Sequence, residues 1–177
     1  MREIGKEDLL EQLNRAALKI AKKIADNPIG KNEPNLMAGN ISHSNIWEPK
    51  DKKSHYKAEK MFTEMVEWAV EEGADLIMGE TFFYAEEAFK ALDVIQKAGL
   101  PSVINLAPMA ENFMQDEISI IDTCKELEQR GADVVGMNCF RGPATMMPYL
   151  RKIRKEISCH MSAPVSYTHL TLPTSNS

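Results

Sequence analysis

A repeated junction constrains this chain more than any other feature: a helical stretch ends at a Gly, and a short apolar run follows. Glu72-Gly73-Ala74-Asp75-Leu76-Ile77 recurs as Arg130-Gly131-Ala132-Asp133-Val134-Val135, and Lys97-Ala98-Gly99-Leu100-Pro101-Ser102-Val103-Ile104 lies between them. Each Gly suits the left-handed position that closes a helix. Each apolar run has the length of a strand and lacks polar alternation, as parallel strands covered by helices do. Units of about 30 residues built this way are βα units. The chain therefore reads as α/β with a parallel sheet.

The elements follow from periodicity. Leu9, Leu10, Leu13, Ala16, Ala17, Ile20 and Ile24 recur at helical spacing and predict a helix over 7–26, stopped by Asn27-Pro28-Ile29-Gly30. A strand is expected at Leu36-Met37-Ala38-Gly39, a loop over 41–54, and a helix over 55–72 carrying Phe62, Met65, Val66, Ala69 and Val70. Further helices are predicted over 86–97, 117–129 and 144–156, with a fifth strand over 160–165. A βα series folds either as an open doubly wound sheet or as a closed (βα)8 barrel. No Gly-rich phosphate loop follows any strand, which disfavours the nucleotide-binding open sheet. A full barrel takes about 250 residues, and this chain has 177. The expected fold is an incomplete (βα)8 TIM barrel with five of its eight strands.

Charge and cysteine usage narrow the function. With 21 Lys and Arg against 26 Asp and Glu, the net charge is −5, which lacks the basic surplus that nucleic-acid binding needs. No apolar run is long enough to span a bilayer, and the charged N-terminus lacks the apolar core of a signal peptide. Cys124, Cys139 and Cys159 form neither a disulfide framework nor a C-x-x-C pair. The sequence predicts a cytoplasmic protein whose partners are small molecules, with no nucleic acid and no membrane. Residues 166–177 change character, and Val165-Ser166-Tyr167-Thr168-His169-Leu170-Thr171-Leu172-Pro173-Thr174 resembles a translated sequencing-adapter read-through. Residues 1–165 are expected to be the barrel domain and 166–177 a non-native disordered tail.

In βα barrels the chemistry gathers at the C-terminal ends of the strands. Those ends are Gly39-Asn40-Ile41-Ser42, Gly79-Glu80-Thr81, Leu106-Ala107-Pro108-Met109 and Asn138-Cys139-Phe140-Arg141. Cys139 there is placed to bind a soft metal or act as a nucleophile, or to serve as a small buried hydrophobe. Glu80 is placed to hold a ligand, or to act as a helix N-terminal charge or salt-bridge partner. Cys124 is expected mid-helix on the barrel exterior, and Cys159 at the opposite strand ends, roughly 16 Å away at about 3.3 Å per residue. A Zn–S bond is about 2.3 Å, so neither pairs with Cys139 on a metal. His43 falls on a rim loop; His55 and His160 receive no role. Trp47, Phe82, Phe83 and Tyr84 lie near the same rim, as packing residues or as an aromatic cage for a quaternary ammonium.

The ordered set Met37-Ala38-Gly39-Asn40-Ile41-Ser42, Gly79-Glu80-Thr81-Phe82-Phe83-Tyr84-Ala85-Glu86-Glu87-Ala88, Gly136-Met137-Asn138-Cys139-Phe140 and Ala163-Pro164-Val165 resembles the homocysteine S-methyltransferase family, in particular bacterial-type betaine–homocysteine S-methyltransferases. The resemblance implies a barrel that binds Zn2+ through three thiolates, with the strands of this chain matching the family's third to seventh. Cys139 looks like the first zinc ligand; the family's other two, an adjacent Cys pair after Gly-Gly on the eighth strand, are absent from this chain. Glu80 looks like the carboxylate that holds the homocysteine amino group, and Thr81 and Asn138 look like substrate-binding rim residues beside it. The implied reaction is zinc-dependent methyl transfer from a methylated cationic donor, betaine first, to the thiolate of L-homocysteine, giving methionine, with no separate catalytic residue beyond the metal site. The family-length protein is a possible homo-oligomer. The isolated chain is expected to bind zinc weakly, to lack turnover and to aggregate. Alternatives are a donor such as S-methylmethionine or a methylated corrinoid, a metal-free enzyme with Glu80 as general base, and a non-catalytic barrel remnant.

Overall fold

A computed structural model describes residues 5–27, 35–139 and 142–164. A 3-10 turn, Glu7–Leu9, leads into α1 (Leu10–Ala25). Four βα steps and a fifth strand follow in strict alternation: β1 (Ala38–Ser42), α2 (Lys52–Glu71), β2 (Leu76–Phe82), α3 (Ala85–Lys97), β3 (Ser102–Leu106), α4 (Ile120–Gln129), β4 (Val134–Met137), α5 (Pro143–Glu156) and β5 (His160–Ser162). The strands form one sheet in the order β1-β2-β3-β4-β5, every neighbouring pair parallel. This is the expected α/β architecture, five strands of a TIM barrel.

The repeated Gly-Ala-Asp motif has a physical explanation. Gly73 and Gly131 take φ of 82° and 92°, the conformation that ends α2 and α4. The following Ala N–H bonds back to the helix, Ala74 to the Ala69 carbonyl and Ala132 to that of Leu127, both at 2.9 Å. The Asp then locks the neighbouring strand: the Asp75 carboxylate accepts from the Met37 N–H at 2.7 Å, and that of Asp133 from the Ser102 N–H at 2.8 Å. One motif thus closes a helix and sets the register of two strands.

The uninterrupted apolar runs predicted strands buried on both faces, and the structure corrects this. Along β1, Gly39 and Ile41 are buried while Ala38 and Asn40 are exposed; along β2, Ile77 and Gly79 are buried while Met78 and Glu80 are half-exposed. The helices cover one face only. There Ile41, Ile77, Ile104, Leu106, Val135 and Met137 pack with Phe62, Leu92, Ile95, Leu127 and Ile153. The opposite face carries the polar side chains, and only β3 is buried throughout.

Several boundaries also shift. β1 begins two residues late and runs to Ser42, because Ile41 packs into the core at 1% exposure. α2 starts at Lys52, ahead of the expected His55, because the Asp51 carboxylate accepts from the Lys53 N–H and caps it. α4 starts at Ile120, where Ser119 caps it. β5 ends at Ser162. The expected helix stop at 28–30 and the expected tail over 166–177 lie outside the described residues.

Candidate active site

The C-terminal ends of β1, β2 and β4 meet at one rim. β2 pairs Gly79 with Ile104 and then Phe82 with Leu106, so it carries one residue more than β3 between those points. This is a β-bulge, a device that re-aims side chains near functional sites. It is made at Thr81, whose φ is 63°. A β-branched residue with positive φ is an outlier. The bulge lets Glu80 and Thr81, neighbours in sequence, both reach partners at this rim instead of alternating. Glu80 therefore lies inside β2, not after it. The Asn40 side chain, from β1, donates to Glu80 Oε2 at 2.8 Å, which holds one carboxylate oxygen.

Thr81 turns toward the end of β4. Its N–H donates to Asn138 Oδ1 at 2.9 Å, and Asn138 Nδ2 donates back to Thr81 Oγ1 at 2.9 Å. The same amide donates to Cys139 Sγ at 3.4 Å, and Thr81 Oγ1 donates to that sulfur at 3.8 Å. Asn138 is 3% exposed, so these bonds lie largely out of water. Cys139 is left-handed too, at φ 55°. Such non-Gly conformations cost about 1–3 kcal/mol each and persist only where surrounding structure enforces them. Here the reciprocal Thr81–Asn138 bonds do so.

Of the residues singled out from sequence, Thr81, Asn138 and Cys139 are joined by hydrogen bonds, while Glu80, beside Thr81 in β2, pairs with Asn40. Asn40 was legible as a rim residue but carried no signal of a role. Phe140 and Arg141 lie outside the described residues. Cys124 lies mid-helix in α4, as expected, but is fully buried in the core instead of exposed, and burial pushes its thiol up to about 12. Cys159 lies just before β5, at the opposite strand ends, and its thiol is also raised by burial. Among the described residues, no group of three His, Cys, Asp or Glu side chains could hold a metal ion.

The aromatic residues divide. Phe82 is fully buried on the helix side, edge-on to Phe62 at 6.1 Å. It therefore cannot join a cage at the rim. A cleft of about 210 Å³ is lined by His43, Trp47, Phe83, Tyr84 and Glu87 among others. In it the His43 ring lies 4.4 Å from that of Phe83, while Trp47 stacks on His55 at 3.9 Å. Glu87, 1% exposed, was not anticipated. Its Oε1 accepts from the Ser44 N–H at 2.7 Å and the Ser44 hydroxyl at 2.6 Å. Burial raises its carboxyl above the ordinary value, against those bonds.

A family model described as homocysteine S-methyltransferase matches residues 1–176. The S-methylmethionine–homocysteine S-methyltransferase BHMT2 of Pongo abelii is 28% identical over 82% of this chain and 38% of its own length. The betaine–homocysteine S-methyltransferase 1 of Danio rerio is 26% identical over 89% of this chain and 39% of its own. The chain thus spans under two fifths of the length of these curated relatives. Among solved structures, the apo homocysteine methyltransferase MmuM of Escherichia coli superposes with a TM-score of 0.70 at 14% identity, over 89% of this chain and 70% of that one. Its metallated form gives 0.69 at 17% identity, over 87% and 58%.

Proposed function

Because this chain belongs to the homocysteine S-methyltransferase family, we propose that it forms part of an enzyme that moves a methyl group from a methylated cationic donor to the sulfur of L-homocysteine, giving methionine. The observation that carries this reading is the single rim shared by a carboxylate and a thiol. Glu80 and Thr81 are adjacent, and the Thr81 hydroxyl reaches Cys139 Sγ.

The chemistry asks little of side chains beyond positioning. The homocysteine sulfur loses its proton and gives an electron pair to the donor methyl. The bond from that carbon to nitrogen or sulfur breaks, and its electrons leave with the demethylated donor. Glu80 accepts hydrogen bonds from the homocysteine ammonium, with Oε2 already held by Asn40 and the other oxygen turned to the ligand. Charge-assisted bonds of this kind are the strong ones. Orienting the two reactants accounts for much of the rate in such transfers.

Zn2+ enters the proposal only for a family-length chain, with Cys139 as one ligand. The described residues do not fit the ion by themselves, since they bring one thiol to this rim. Betaine is the first donor proposed and S-methylmethionine the second; relatives named for each match this chain at similar identity. No helix among the described residues is long and apolar enough to cross a membrane; the proposal of a cytoplasmic setting is supported by the free cysteines.

The test is methionine formation from homocysteine by the family-length protein, with each donor supplied in turn. Glu80→Gln should raise KM for homocysteine by about 10–100-fold, the worth of a bond to a charged group, and leave donor KM unchanged. Methionine from neither donor would overturn the reading.

A further inference from the structure

We propose that Thr81 and Asn138 are positioning residues for the Cys139 sulfur, not contacts to the substrate. This rests on the reading of the β2–β4 rim as the reacting end of the fold. Three observations carry it.

First, the polar groups are already committed. Asn138 uses its carbonyl oxygen on the Thr81 N–H and its amide on both Thr81 Oγ1 and Cys139 Sγ, and the Thr81 hydroxyl accepts from Asn138 while donating to the sulfur. A hydroxyl has one proton, so a Thr81 that donates to sulfur has none for a ligand. Second, a donor from β2 and one from Asn138, just past β4, converge on one sulfur, which fixes the direction in which Cys139 presents it. Third, the arrangement is held against backbone preference, with Thr81 at φ 63° and Cys139 at φ 55°. A β2 without the extra residue would point the Thr81 hydroxyl to the helix side. The bulge and the pair of bonds act together.

A positioning role and a substrate contact differ in the absence of substrate. Positioning acts on the sulfur at all times; a contact is silent until ligand arrives. The experiment is therefore alkylation of the ligand-free chain by iodoacetamide, followed cysteine by cysteine with peptide mass spectrometry. It is read at pH values where the rates no longer rise, so that it reports the sulfur's nucleophilicity and access. Thr81→Val keeps the shape, the β-branch and the backbone demand but removes the hydroxyl. Thr81→Ser keeps the hydroxyl. With one donor removed, Cys139 in Thr81→Val should react about fivefold faster, the scale of one net hydrogen bond, while Thr81→Ser stays at the wild-type rate. Cys159 serves as the internal control and should not change in either variant.

Equal Cys139 rates in wild type and Thr81→Val would overturn the proposal. So would a parallel rise at Cys159, which would mean general loosening instead of a released sulfur. The outcome does not depend on turnover. A chain that fails to methylate homocysteine can still show the Thr81 effect, and a methylating protein can lack it.

Discussion

α1 and α3 carry the same signature in sequence, apolar residues at helical spacing with charges between them, and they meet different fates. α3 buries Ala85, Glu87, Ala88, Phe89, Ala91, Leu92, Val94 and Ile95, whereas α1 buries none of its residues. Leu13, Ile20 and Ile24 of α1 are 52%, 62% and 65% exposed. α3 lies over the middle of the sheet, against β2 and β3 and between α2 and α4. α1 rests on α2 beside the edge strand, through Leu18, Ala21 and Ala25 and the ion pairs of Arg15 with Glu71 and Glu72. Periodicity states which face a helix offers. Whether that face is covered depends on the neighbours the topology supplies.

The comparison can be broken most directly at Leu92, which is fully buried. Leu92→Ala should destabilise the chain by about 3 kcal/mol, the transfer and cavity cost of such a truncation, read as a shift in urea midpoint. A small shift would mean that the centre is as loosely packed as the flank. A weaker effect is expected at Glu87, the one charged residue α3 buries. Its folded carboxyl holds its proton more tightly than the ordinary value of 4.5 allows. The stability it contributes is therefore complete below that value and is lost as pH rises through the raised one. Glu87→Gln should flatten the fall in stability that sets in as pH rises above 4.5. An unchanged slope would place the pH dependence elsewhere.

Smaller still is the loss of Arg15. In Arg15→Ala, amide exchange should quicken throughout α1 and stay unchanged in α3 and β2. Quickening across the sheet would show that α1 folds as one unit with the centre. The smallest effect belongs to Ile20, where Ile20→Lys should move the urea midpoint by no more than about 0.5 kcal/mol, as at other exposed positions. A large loss there would mean that something covers the stripe.

The same contrast sorts what sequence could show. The βα order and the helix ends were legible because Gly73, Gly131, Asp51 and Ser119 act through their own local chemistry. Glu80 and Cys139 were legible as strand-end residues. The bulge was not, since it is a mismatch between β2 and β3 and has no signal within either strand. The left-handed turn at Thr81 was hidden for the same reason; residue type argues against it. Glu87 was hidden because a charged residue at a helix start reads as solvated, and only the approach of Ser44 makes its burial tolerable. The commitment of Thr81 and Asn138 to each other could not be read from positions far apart in the chain.

That commitment has a mechanical side. Thr81 and Asn138 close β2 and β4, strands that are not neighbours, for β3 runs between them. The Asn138 side chain nevertheless reaches across to the Thr81 N–H at 2.9 Å. Their bonds span the bend of the sheet as a tie rod spans an arch. The length of that tie is set by how β2, β3 and β4 curl. A strand added at either free edge would tighten or slacken it from a distance, and Cys139 is fastened to the rod.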